Sequence, residues 1–232
     1  MKDVTNWQPC KRPTRTTLAG KYCRLEPLDP KRHGNELFAA SIAPGAAERF
    51  RYLSDAPQNR VDFDGWLTWA AASEDPMFFA VVDLASGRCE GRQTLMRITP
   101  EHGVIEVGSI LWGPVIARTR VATEALYLFA RYVFNELGYR RFEWKCDARN
   151  EPSKRAAARF GFIYEGTFRQ HMVVKRENRD TAWFAMLDID WPAICKTFEQ
   201  WLDRPNFDPL GRQKTRLEDL RKSDRATIET RN

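Results

Sequence analysis

No Cys-x-x-Cys pair occurs in this sequence, and its three histidines (His33, His102, His171) stand at no ligand spacing from its five cysteines. That pattern argues against a zinc centre and leaves no metal site to expect. Cys10, Cys23, Cys89, Cys146 and Cys195 are odd in number and widely spaced. Reduced, mostly buried thiols in a reducing compartment follow. No apolar run approaches the roughly twenty residues that span a bilayer. The start, Met1-Lys-Asp-Val-Thr-Asn-Trp7, lacks the apolar stretch of a signal peptide. The expectation is a cytoplasmic protein with no membrane partner. The net charge of +6 suits nucleic acid, a polyphosphate cofactor or a solvated surface alike, but internal repeats and nucleic-acid motifs are also missing, which makes nucleic acid an unpromising partner.

What is present is a core. Hydrophobic residues make up 43% of 232, with eight Trp and fourteen Phe, far from the composition of a disordered chain. Residues 1–19 read as an irregular arm and 20–203 as one domain. Residues 204–232 read as a charged extension, either helical around Leu217 and Leu220 or disordered. Within the domain, Lys21–Leu28 alternates as a strand, and Asp29-Pro30 opens a helix. The segment 41–59 carries an aromatic run, Phe50-Arg-Tyr-Leu53, placed to line a cavity. A second helix begins at Asp62, with Asp62 as its cap. Strands at Met77–Leu84, Cys89–Ile98 and Val104–Trp112 form a meander around Ser86-Gly87 and Pro100–Gly103 turns. Further strands are expected from Phe162 to about Arg169 and from Thr181 to Asp188, then a helix from Ile194 to Leu202. The fold class is α/β (α+β) with a mixed, mostly antiparallel sheet and flanking helices.

The stretch 104–162 organises the chain. Trp112-Gly113-Pro114 stops a buried strand, and a helix opens at Ala117 and runs to about Glu136. Ala122, Leu126, Phe129, Val133 and Leu137 step by three and four along it, so one face is buried. Arg141–Asp147 alternates at period two as a second strand, and Asn150-Glu-Pro-Ser153 starts another helix. The first amides of a helix lack internal partners and carry partial positive charge. With Arg118 and Arg120 flanking Thr119, that start suits a phosphate or pyrophosphate. Many helices begin with arginine and bind nothing, and the spacing alone does not choose.

These strings, taken with the order of elements, resemble the GNAT N-acetyltransferases, and locally their RimJ/RimL-type branch. The carriers are Leu25-Glu-Pro-Leu28, Glu106-Val-Gly108, Ala122-Thr-Glu-Ala125, Asn150-Glu-Pro-Ser153, Gly161-Phe162, Glu165-Gly166 and Arg179-Asp180, within roughly residues 18–192. The resemblance implies a GNAT fold with a splayed central strand pair and acetyl-CoA as donor. It places the pyrophosphate on the backbone of a Q/R-x-x-G-x-G/A pattern, which falls on Ala117–Ala122 and so involves Arg118, Thr119, Arg120, Val121, Ala122 and neighbouring Thr123. The last position matches. Ala117 stands for Gln or Arg and Arg120 for the central Gly, and Arg120 would crowd the loop unless its side chain turns away or binds phosphate. The resemblance also implies that the pantetheine arm pairs with Ile110, Leu111 and Trp112, with Gly108 and Ser109 forming a bulge. By the same resemblance, Asn150 is expected to bond the pantetheine and Ser153 to sit near the sulfur.

The implied reaction is attack of an amine on the thioester. Unperturbed, an α-amine has a pKa near 8 and a lysine near 10.4, so an α-amine needs only a weak base. Glu106 is the candidate base, on a strand face expected to include Gly108 and Ile110. It reads equally as a structural carboxylate bonding a loop. Ser153 can donate to the leaving thiolate, or cap its helix, or both. Tyr164 is an outside candidate for a proton donor and His171 for the acceptor side, and Glu124 is placed in a first helical turn. The leading function is an N-acetyltransferase acting on a protein or peptide N-terminal amine. A small amine such as an antibiotic or polyamine is the alternative acceptor. A non-catalytic RNA- or ribosome-binding module is the second alternative, and exposed sheet edges would allow a homodimer.

Overall fold

The computed structural model describes residues 4–222. Eight strands form one sheet in the order β1-β2-β3-β4-β5-β6-β8-β7: β1 Leu18–Ala19, β2 Cys23–Pro27, β3 Met77–Asp83, β4 Cys89–Thr99, β5 Val104–Trp112, β6 Arg141–Asp147, β7 Ile163–Val174 and β8 Glu177–Leu187. Every neighbouring pair is antiparallel except β5 with β6. Helices α1 (Pro30–Ile42), α2 (Ala46–Arg49) and α3 (Arg60–Ala72) precede the meander. Next come α4 (Arg120–Arg131), α5 (Glu151–Phe160) and α6 (Trp191–Trp201). Leu37, Phe63 and Leu67 of α1 and α3 pack on Phe78, Ala80 and Val82, one face of β3. Phe79, Val81, Ile105 and Val107 point the other way, into a larger core with Leu126, Phe129, Phe160 and Phe198. Alternation of side chains about the sheet therefore separates two apolar layers.

Asp29 caps α1, accepting from the amides of Lys31 and Arg32. Asn59, not Asp62, caps α3. Its side-chain oxygen takes the Asp62 amide at 2.9 Å while its NH₂ holds the Asp62 carboxylate, so Asp62 is the answering partner three residues in. α4 begins at Arg120, three residues later than Ala117, because Ile116–Thr119 first form a turn and Thr119 Oγ1 accepts from the Val121 amide. A π-turn, Tyr132–Glu136, completes the helix to its expected end. β7 and β8 are longer than the sequence pattern implied. Lys175 and Arg176 both take left-handed backbone angles (φ 52° and 66°), a tight hairpin turn made without glycine.

The arm is fastened to the domain: the Trp7 indole donates to the Glu101 carbonyl, and the Thr14 amide to the Tyr132 hydroxyl. The C-terminal extension is structured through residue 222, with buried Leu217 in a helix spanning 217–222. Residues 223–232 lie outside the described part. No described helix is long and apolar enough to cross a membrane.

Candidate active site

β5 and β6 pair only from Val104↔Arg141 to Val107↔Trp144. Beyond Val107, β5 has no partner on that side, while β6 continues against β8 through Asp147. The strands fork. An extra residue in β5 shifts its register with β4 between Thr94↔Gly108 and Arg92↔Leu111, and Ser109 sits there at φ 46°. This bulge turns the strand and exchanges its faces. Glu106 and Gly108 stay on the face of Met96, whereas Ile110 and Trp112 pack against the core that holds Val107. Ile110 therefore does not share the face of Glu106, because one inserted residue reverses a period of two. Leu111 is fully buried.

A cleft of about 420 Å³ opens at the fork. Ile110, Trp112, Asn150 and Ser153 line one side, and Glu106, Lys145, His171 and Arg179 the other. Tyr52, Leu53 and Asp55 of the 50–59 loop form a wall. The aromatic run near position 50 thus meets the cavity, as its composition suggested. Tyr164 does not: its hydroxyl pairs with Thr167 on the exposed face of β7.

Glu106 is 6% exposed. Its Oε2 lies 2.9 Å from Lys145 Nζ and 3.6 Å from Arg97 Nε. Burial pushes its pKa above the ordinary carboxylate value, against the pull of Lys145 and Arg97 and with the push of Glu143. Such a carboxyl is a better base than an exposed one. Gly108 keeps the approach narrow but open. A methyl there would collide with Met96 Sδ and stand 3.7 Å from Glu106 Oε1.

Asn150 caps α5, its Oδ1 accepting from the Ser153 amide at 3.1 Å. Ser153 is therefore not the cap, and its hydroxyl is available for other work. Its Oγ accepts from the Trp144 indole at 2.9 Å, and it stands within hydrogen-bonding reach of the Cys146 sulfur. An acceptor role toward Trp144 leaves the hydroxyl proton to donate.

At the start of α4 the amides of Arg120 and Ala122 have no partner among the described residues. Two unsatisfied donors at a helix N-terminus fit an anion. Arg118 is exposed, with φ 63° and no described ion-pair partner. Arg120 turns away from the loop: its guanidinium lies 4.4 Å from the Tyr22 ring centroid and 5.4 Å from that of Phe207. The crowding that Arg120 threatened is thereby removed. Val121 is buried, and Thr123 Oγ1 donates to the Thr119 carbonyl and accepts from Arg159. Glu124 lies in the second turn rather than the first. Its carboxylate accepts from the amides of Lys21, Tyr22 and Cys23 at 2.6–2.8 Å, fastening β2 to α4.

A forked parallel pair and the bulge beside it open one cleft, the open start of α4 lines a separate pocket with Thr119, Arg120 and Val121, and the comparisons agree with that fold. The family model of the acetyltransferase (GNAT) domain matches residues 24–163. The chain belongs to the GNAT acetyltransferase family. The structure of a GCN5-related N-acetyltransferase from Brucella melitensis is 55% identical, covering 94% of this chain and 99% of its own, with a TM-score of 0.92. A GNAT-family protein of Chromobacterium violaceum ATCC 12472 is 39% identical over 83% of this chain and 96% of its own, at 0.76. RimL, a ribosomal L7/L12 alpha-N-protein acetyltransferase, shares the fold at 16% identity and 0.64, over 74% and 94%. No curated protein matches the sequence. Acetyl-CoA is the donor this acetyltransferase family uses, and the orphan amides and the unpaired edge of β5 suit it.

Three groups in or beside the GNAT cleft stand outside the motifs of the sequence. Arg92 is 1% exposed, stacks 4.7 Å from the Trp66 ring and bonds both Asp55 and the Ser109 carbonyl at 2.5 Å. It ties the loop wall to the bulge. Lys145 and Glu143 carried a visible signal. Arg141, Glu143, Lys145 and Asp147 occupy alternate positions of β6 with alternating sign, opposite Phe142, Trp144 and Cys146.

Proposed function

We propose that this GNAT enzyme, in a RimJ/RimL-like role, transfers acetyl from acetyl-CoA to a protein or peptide N-terminal amine. The observation that carries the reading is the single cleft that joins Ile110, Trp112, Asn150 and Ser153 to the buried carboxylate of Glu106. Acetyl-CoA supplies an activated acetyl group, and the chain supplies the rest. The α4 amides, with Arg118, would hold the pyrophosphate. The open edge of β5 at Ile110–Trp112 and the side chain of Asn150 would hold the pantetheine arm. Glu106 takes the proton of the incoming ammonium, and the Ser153 hydroxyl donates toward the departing sulfur. A thiol leaves readily because its pKa is near 8.5.

The α-amine is favoured by magnitude. Neutralising it at pH 7 costs about one pK unit, against more than three for lysine, so an α-amine asks less of the Glu106 carboxylate than a lysine does. A polyamine calls for an acidic cleft, yet Asp55, Glu106 and Asp147 are answered by Arg92, Lys145 and Arg149. The test is release of free thiol from acetyl-CoA at pH 7 with N-terminal peptides, an Nα-blocked lysine peptide and spermidine. The reading expects the free α-amine peptides to react at least tenfold faster. A preference for lysine or spermidine would replace it.

A further inference from the structure

One lysine and two glutamates share the buried face of the parallel pair. Glu106 and Glu143 stand directly opposite each other in register. Like charges so placed repel. Lys145, two residues along β6 and 6% exposed in its side chain, resolves the conflict: its Nζ lies 2.9 Å from Glu106 Oε2 and 2.6 Å from Glu143 Oε2. The same ammonium sits 3.7 Å from the Trp183 ring centroid. Glu143 is held in turn by Arg141 at 2.6 Å, and Arg141 by Glu165 at the surface. Six charges of alternating sign run from Glu165 to Arg97, and Glu106, beside Arg97, is the anion that faces the cleft.

The arithmetic of charge gives this arrangement a use. A buried Glu–Lys pair standing alone resists protonation, because neutralising the carboxylate strands the ammonium in a low-dielectric site. With Glu143 as second anion, Glu106 can gain a proton while Lys145 remains paired. When the ammonium of the acceptor gives its proton to Glu106, the trio passes from net −1 to neutral, and the nitrogen keeps the electron pair it needs for attack. We propose that Lys145 is a positioning residue for Glu106, a counter-cation whose division between Glu106 and Glu143 sets how readily Glu106 accepts the proton of the amine. The inference rests on Glu106 acting as the base. The charged groups facing Glu106 are Arg97 from β4 and Lys145 and Glu143 from β6. Asp55, Asp147, Arg179 and the imidazole of His171 line the same cleft.

Two neutralising substitutions must act in opposite directions. Lys145→Met removes the nearer cation and leaves only Arg97 to oppose burial, so Glu106 protonates at higher pH. Glu143→Gln removes the competing anion and commits Lys145 to Glu106, so Glu106 protonates at lower pH. Each shift should be about 1–3 pH units. The experiment follows the Glu106 carboxyl by ¹³C NMR in glutamate-labelled protein, assigned with Glu106→Gln, alongside the acid limb of kcat/KM for an N-terminal peptide. Opposite shifts in both readouts support the proposal. A carboxyl that does not move in opposite directions overturns it while leaving Glu106 as base. A carboxyl that moves while the acid limb stays fixed overturns the base assignment and the proposal with it. Should Lys145→Met not fold, the direction of the Glu143→Gln shift decides alone.

Discussion

Replacing Arg92 by Met tests how the cleft is held together. The guanidinium is 1% exposed, between Trp66 and Phe78, and its side-chain partner Asp55 is 20% exposed. Met fills most of the volume and keeps the ring contacts. It leaves the Asp55 carboxylate and the Ser109 carbonyl without their donor. Removing one member of a buried ion pair costs about 3–5 kcal/mol. Asp55 keeps some water and the burial cost of the arginine disappears, so about 2–3 kcal/mol is expected here. For a domain of this size each kcal/mol lowers Tm by about 2–4 °C, which predicts a fall of about 4–12 °C by calorimetry. Asp55→Asn, which retains an acceptor, should cost less, and the double variant should cost less than the sum. Because Arg92 joins the 50–59 loop wall of the cleft to the bulge, and that loop is proposed to shape the acceptor side, the KM for acceptor should rise more than that for acetyl-CoA. A Tm within 2 °C of the parent, with both KM values unchanged, would refute the view that this arginine shapes the cleft.

Other consequences follow from the same geometry. Ser153→Ala leaves the Asn150 cap in place and removes the hydroxyl proposed to donate toward sulfur. A hydrogen bond to a charged group is worth about 1.5–3 kcal/mol, so kcat should fall by about 10- to 100-fold while acetyl-CoA affinity by calorimetry stays within twofold. Gly20→Ala places a methyl on the Glu124 carboxylate, which three amides hold still. Overpacking of about 1–3 kcal/mol should lower Tm, and a gain in stability would show that β2 is not clamped there. Glu26 is buried, which pushes its pKa up, but hydrogen bonds from His33 and Arg24 and the charge of Arg32 outweigh this and hold it below the usual value. The stability it confers is present above the ordinary glutamate range and is lost as pH falls through the lowered value. Glu26→Gln should flatten the acid side of the stability curve.

Much of the frame was written in local pattern. Asp29-Pro30 names a helix start on its own, and the Gly-Pro break after Trp112 names a strand end, because each acts through backbone geometry a few residues wide. Glu106, Asn150 and Ser153 were reachable because they stand in short strings that resemble a family. The fork-side chemistry of Lys145, Glu143 and Arg92 depends on which strands become neighbours, and that is a property of the sheet order. The alternating charges of β6 were there to be seen, but only the pairing with β5 places Glu143 opposite Glu106. The bulge at Ser109 is legible in Gly108-Ser109, but the face it gives Ile110 depends on the register with β4. The early start of α3, two residues before Asp62, and the hairpin at Lys175-Arg176 are hidden in the sequence because Asn59 and two long basic residues take roles commonly filled by Asp and Gly. Arg120 looked like an obstacle until Tyr22 and Phe207, distant in sequence, supplied a place for its guanidinium.

The central claim is that the fork and the helix start beside it form the acetyl-CoA site, and thermal unfolding with and without acetyl-CoA tests it most directly. At a hundredfold excess over the dissociation constant, binding adds about 2.7 kcal/mol. The account predicts a rise in Tm of roughly 5–10 °C, reduced in Arg118→Ala and in Asn150→Ala. An unchanged Tm at millimolar acetyl-CoA would contradict it.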